Sequence, residues 1–75
     1  MFRKKYRIHL YKNERGFLVG AFCDVYSIAC SIQESSSAEN DHIWLGCDSN
    51  RMHLDRVMAK ELIRHLKKFV RTGHL

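Results

Sequence analysis

The carboxyl-terminal stretch of this chain constrains its fold more than any other feature. From Asp55 it reads Asp-Arg-Val-Met-Ala-Lys-Glu-Leu-Ile-Arg-His-Leu-Lys-Lys-Phe-Val-Arg-Thr-Gly, ending at Gly73. Counted from Leu54 at the helical step, Met58, Phe69, Leu62, Leu66, Ala59, Val70 and Ile63 fall between about 40° and 180°. Arg56, Lys67, Lys60, Arg71, Arg64 and Lys68 fall between about 200° and 320°. The spacing therefore predicts a helix with one apolar side and one almost wholly basic side. Asp55 suits the N-cap, where a carboxylate accepts the orphan N–H groups of the first turn. Gly73 suits the position just beyond the last turn, where the chain goes left-handed. Cations near the carboxyl end also suit the helix dipole.

Upstream, the apolar period changes to two. Tyr6, Ile8 and Leu10 alternate with Arg7, His9 and Tyr11, which predicts a strand with one face buried. Asn13-Glu14-Arg15-Gly16 is a turn, and Phe17 to Phe22 returns as the second strand of a hairpin. A second turn is expected at Asp24. Tyr26, Ile28, Cys30 and Ile32 then alternate with Ser27, Ala29, Ser31 and Gln33 as a third strand. Ile43 and Leu45 alternate with His42, Trp44 and Gly46 as a fourth. Asp48-Ser49-Asn50 is a turn signal, with Met52 to Leu54 as a short fifth strand. The expected fold is α+β: an antiparallel β-meander of four to five strands with one amphipathic helix packed on one face. Tyr6, Ile8, Leu10, Ile28, Cys30, Ile32, Ile43 and Leu45 would meet the helix. His9, Tyr11 and Trp44 would lie on the other face.

Seventy-five residues suffice for one small domain, here residues 1–75. A chain this short buries only about 60% of its unfolded surface. A homodimer is one further way to add core. The same margin leaves little room for a substrate cleft of the usual ~300–1,000 Å³, and no catalytic motif is visible. Both points favour a surface that binds over a pocket that reacts, and a non-enzyme. No apolar run approaches the ~18 residues of a membrane span, and Met1 to Lys12 has no apolar core of a secretory signal. Three Cys, odd in number and widely spaced, argue against a disulfide framework and for a reducing compartment.

Charge is segregated along the chain. Arg3, Lys4, Lys5, Arg7, Lys12 and Arg15 stand against Glu14 at the start, and Arg56, Lys60, Arg64, Lys67, Lys68 and Arg71 against Glu61 at the end. The middle carries Arg51 against Asp24, Glu34, Glu39, Asp41, Asp48 and Asp55. The whole chain, with 13 Lys plus Arg and 8 Asp plus Glu, has a net charge of +5, and this number hides a basic–acidic–basic order. The acidic loop around Glu34–Asp41 is either a solvated connection or a neutraliser of the basic ends.

The basic helix side could track phosphates or an acidic protein surface, or simply be a solvated face. Acids that would pair with its cations and stabilise an isolated helix are almost missing, which favours a contact role. If it neutralised about six phosphates, affinity would fall by roughly three orders of magnitude between 50 and 200 mM salt. Trp44, with Tyr11 and His9, could anchor a partner or stack bases; the alternative is a second small cluster or a dimer contact. Cys23, Cys30, Cys47, His42 and His53 are soft metal ligands, but their spacing lacks a Cys-x2-Cys knuckle. No metal or other cofactor is expected, and nothing in the sequence orients a Cys–His pair for catalysis. His65 falls beside the apolar arc as a boundary residue.

Two stretches carry a resemblance. One is Cys30-Ser31-Ile32-Gln33-Glu34-Ser35-Ser36-Ser37-Ala38 leading to Ile43-Trp44-Leu45-Gly46. The other is Arg51-Met52-His53-Leu54, opening a helix that ends Phe69-Val70-Arg71-Thr72-Gly73. Together, over residues 22–73, they resemble a group of small proteins of tailed phages and prophages. Many of those carry a longer insertion where this chain has only Cys47-Asp48-Ser49-Asn50. The resemblance implies an accessory protein of the host bacterial cytoplasm that binds a host protein or ribonucleoprotein and inhibits it, as an anti-CRISPR or other anti-defence factor does. Arg56, Lys60, Arg64, Lys67, Lys68 and Arg71 would make the contact, with Trp44 and Tyr11 as anchors. The alternative is a nucleic-acid-binding module whose basic helix side and basic N-terminal arm contact backbone phosphates without reading bases.

Overall fold

The computed structural model describes residues 6–37 and 39–75. The expected basic arm at Arg3, Lys4 and Lys5 lies outside the described residues. The chain forms a five-stranded antiparallel sheet in the order β1-β2-β3-β4-β5, followed by one helix. The strands are β1 (Leu10–Lys12), β2 (Leu18–Cys23), β3 (Ala29–Glu34), β4 (His42–Cys47) and β5 (Asn50–Asp55), and the helix is α1 (Arg56–Thr72). The α+β meander with a single carboxyl-terminal helix is the fold the period change predicts.

Side-chain chemistry closes each turn. Asn13 Oδ1 accepts the backbone N–H groups of Arg15 and Phe17, each at 3.0 Å. Gly16 then takes the left-handed conformation, φ 86°. Asp24 does the same at the next turn, accepting from Tyr26 N–H at 2.8 Å and Ile28 N–H at 3.0 Å, with Ser27 at φ 64°. This turn corrects the expected third strand. The alternation at Tyr26 and Ile28 imitates a strand, but both N–H groups are held by the Asp24 carboxylate, so pairing starts only at Ala29. The first strand is likewise shorter than the alternation from Tyr6 suggests, beginning at Leu10. The tight β4–β5 hairpin pairs Cys47 with Asn50 across Asp48-Ser49.

Register assigns the two faces. Leu10, Gly20, Ile32, Leu45 and Met52 form one row across all five strands. On the same face the next row holds Lys12, Leu18, Glu34, Ile43 and Leu54, with its two charged residues on β1 and β3, and the row on the other side holds Phe22, Cys30, Cys47 and Asn50. This is the apolar face. Gly20 makes room on it: a Cβ there would stand 2.7 Å from Ile8 Cγ2 and 2.8 Å from Leu10 Cδ2. The opposite face carries the row Tyr11, Val19, Gln33, Trp44 and His53. Leu10, Cys30, Ile32, Ile43 and Leu45 thus fall on the expected face, and Tyr11 and Trp44 on the other.

Both ends of α1 are as the sequence predicts. Asp55 Oδ1 accepts from Met58 N–H at 2.8 Å, and Gly73, at φ 79°, donates its N–H to Phe69 O at 2.7 Å. What differs from expectation is how little of the sheet the helix covers. Asp55 is both the last residue of β5 and the helix cap. Connections that return a helix across a sheet usually take about 2–6 residues, and here there are none. The helix therefore leaves the sheet beside β5, with Ala59 its one half-buried residue. Leu66 and Phe69 stay 55% and 52% exposed, and on the sheet Leu10 and Met52 are open to a similar degree. Val19, Cys30 and Leu54 are the buried apolar side chains among the described residues.

Candidate functional site

Two surfaces carry chemistry: the basic side of α1 and the polar face of the sheet. On α1 the sequence-predicted cations emerge together, because residues three and four apart share one side of a helix. All six are exposed. Two of them have partners. Arg64 Nη2 lies 2.8 Å from Glu61 Oε1 one turn earlier. This hydrogen-bonded pair holds the Glu61 carboxyl below its ordinary range and raises the Arg64 guanidinium. Arg56 lies 3.5 Å from Asp41 in the acidic loop, so this loop does neutralise part of the basic end. Lys60, Lys67, Lys68 and Arg71 have no carboxylate partner among the described residues. Lys67, Lys68 and Arg71, with Arg64, His65 and Leu75, border a shallow basic concavity of about 490 Å³. His65, the boundary residue, lies 3.6 Å from Glu61 Oε1.

The polar face of the sheet holds a column of rings that single-residue reasoning misses. Trp44 and His53 are directly opposite each other on β4 and β5. Their rings stack at 4.0 Å between centroids and 18° between planes. His42 also stacks on the His53 ring, at 4.7 Å and 24°. Arg51 brings its guanidinium carbon within 5.4 Å of the Trp44 centroid and donates from Nη1 to Gln33 Oε1 on β3 at 2.8 Å. Gly46, directly opposite Arg51, has no side chain to obstruct that reach across β4. The column is tied to the loop after β3 at its middle ring, His53, and at one end, His42. His53 Nε2 and Ser35 Oγ are 2.9 Å apart. His42 Nδ1 lies 3.0 Å from the Asn40 carbonyl; a carbonyl only accepts, so this nitrogen carries the proton.

The column changes the part Trp44 can play. It is half-buried and engaged by His53 and Arg51, so its indole is not the open platform that base stacking uses. Tyr11 remains exposed in the same row, three strands away, or roughly 14 Å. The two expected anchors share a face but do not form one cluster. A signal for the column was present in the sequence: a two-residue turn at Asp48-Ser49 pairs residue 44 with 53, and His42 and Trp44 point the same way on one strand.

The cysteines divide between the faces. Cys30 and Cys47 are directly opposite each other on the apolar face, and burial, then the neighbouring Cys47, pushes the Cys30 thiol up. All three cysteines are free thiols. Among the described residues no group of three His, Cys, Asp or Glu side chains gathers as a metal-ligand set. A groove of about 470 Å³ opens where Phe17, Ile43 and Leu54 meet Ala59 of α1, with Glu34 and Asp41 at its edge. No described helix is long and apolar enough to cross a membrane.

No family model matches this chain, and neither a curated protein nor a solved structure matches it.

Proposed function

We propose that this chain is a small phage or prophage accessory protein that binds a host protein or ribonucleoprotein and blocks it, without catalysing a reaction. The observation that carries the reading is the basic side of α1: Lys60, Lys67, Lys68 and Arg71 stand exposed with no internal carboxylate. Acids one turn away would stabilise the helix through pairing, and these four cations have none. Unmatched cations along a helix of about 25 Å steer association with an acidic surface and raise its rate. The resemblance of residues 22–73 to phage accessory proteins supports a host target, and an anti-CRISPR or other anti-defence role is its most concrete form. Tyr11, exposed on the sheet, is the better-placed aromatic anchor; Trp44 acts there as part of the ring column.

A second reading, backbone binding to nucleic acid, is favoured by the concavity that Lys67, Lys68 and Arg71 border, since clustered cations suit phosphates. One pair of measurements separates the two. The chain is added to a CRISPR effector ribonucleoprotein from a phage host, and target cleavage is followed. In parallel, the chain is titrated against duplex DNA of arbitrary sequence. Inhibition that is lost in the triple variant Lys60→Glu, Arg64→Glu, Lys67→Glu, with weak DNA binding throughout, supports the first reading. DNA binding that falls steeply with salt, with cleavage blocked only in proportion to DNA occupancy, supports the second. Inhibition that survives the triple variant removes the helix from both.

A further inference from the structure

We infer that the apolar arc of α1 and the apolar face of the sheet are covered by a second copy of this chain, in a closed two-fold dimer. The inference comes from packing and does not depend on the proposed target. A sheet with one apolar face must bury it against another layer. Here the chain's own helix cannot supply that layer, because β5 runs into α1 through Asp55 with no connecting residues.

Surface area gives the size of what is missing. The chain has 6844 Å² of accessible surface, whereas a compact monomer of 8.9 kDa has about 4,800 Å². The excess is about 2,000 Å², and even half of it exceeds the ~800 Å² that each partner buries in a standard interface. The radius of gyration agrees: 13.9 Å against about 11.3 Å for 75 residues in a compact domain.

Chemistry selects the occupant. The two surfaces meet at one groove, which Leu54 of the sheet and Ala59 of the helix both border, and on the helix the exposed arc continues along Leu62, Leu66 and Phe69. A lipid surface would cover the helix arc but not the sheet face beside it. A second copy offers both surfaces at once, and in an isologous pair each copy meets the same patch on the other. The cations sit across the helix from this arc, so the dimer keeps both basic sides outward. It carries twice the single-chain charge of +5.

The test is the mass of the intact chain by light scattering during size exclusion, with its melting temperature followed over about a hundredfold dilution. The expected mass is twice 8.9 kDa, and the melting temperature should fall on dilution. Leu66→Glu with Phe69→Glu should halve the mass or, if the monomer is too weak to stay folded, abolish the cooperative melt. Val57→Glu, on the cationic side, should remain dimeric. A wild-type mass of 8.9 kDa at about 100 µM with a concentration-independent melt overturns the inference. So does a dimer that tolerates the double variant, or a mass that grows without closure. A monomer that co-sediments with phosphatidylserine-containing vesicles overturns it too, and assigns the arc to lipid.

Discussion

The imidazole of His53 lies flat on the indole of Trp44, 4.0 Å between centroids and 18° from parallel, from directly opposite positions on β4 and β5. Cross-strand aromatic pairs contribute beyond the area they bury, by about 0.5–1.5 kcal/mol. A double-mutant cycle with Trp44→Ala and His53→Ala should return a coupling energy in that range. Trp44→Ala alone should cost about 2 kcal/mol, less than a fully buried Trp because the ring is only half-buried. Urea denaturation of the four proteins measures both quantities. A coupling near zero would mean the stack is a contact without energetic weight.

Gly20 forms the floor of the apolar face. A methyl at position 20 meets Ile8 Cγ2 and Leu10 Cδ2 well inside contact distance, and the Ile8 γ2 methyl sits on a stiff β-branched carbon. Gly20→Ala should destabilise by about 1–3 kcal/mol through overpacking. Ile8→Ala in the same chain should recover part of the loss. Amide hydrogen exchange should speed up first at Tyr11 and Lys12, because the displaced side chains belong to the edge strand β1 and the segment leading into it. Equal acceleration in β4 would refute the local account.

The helix ends differ in why substitution is costly. Asp55→Ala removes the side chain that accepts Met58 N–H, at a cost of about 1 kcal/mol, and Asp55→Asn should keep most of it. Gly73→Ala meets no atom within 4 Å, so its cost is purely that of an L-residue at φ 79°, also about 1 kcal/mol. Thermal melts by far-UV circular dichroism should rank Asp55→Asn above Asp55→Ala, with Gly73→Ala close to the latter.

Acid should loosen the helix through Glu61. The hydrogen bond and charge of Arg64 hold its carboxyl below the ordinary 4.5. A carboxylate with a lowered folded-state pKa contributes stability that is complete above its unfolded value and disappears as pH falls through the folded one. Helix ellipticity should therefore drop below about pH 4.5 more in the wild type than in Glu61→Gln. The difference is small, because the pair is exposed and screened by solvent. Equal acid profiles for the two proteins would show that the pair has no influence on the helix.

Several of these features could be read from local sequence because their causes are local. Asp55 and Gly73 bracket α1 through bonds within a few residues, Asn13 and Gly16 close the first hairpin in the same way, and the basic side of α1 follows from helical spacing alone. The misread was local too: Tyr26 and Ile28 have strand spacing, but the Asp24 carboxylate captures their N–H groups, and alternation does not report that competition. The column of His42, His53 and Trp44 lay between these cases. Its residues were each visible as candidates, but their stacking depends on register between strands.

The chain's sequence by itself determined the order of elements, their caps and turns, and which side chains share a face, since these depend on periodicity and on neighbours along the chain. Only the tertiary structure decided that Trp44 would be engaged by His53 and Arg51, and that the helix would leave the sheet instead of crossing it. The physical reason is one residue, Asp55, which ends β5 and caps α1 at once. The direction this junction imposes on a 17-residue helix is a matter of three-dimensional geometry, and it leaves most of two apolar surfaces uncovered by their own chain.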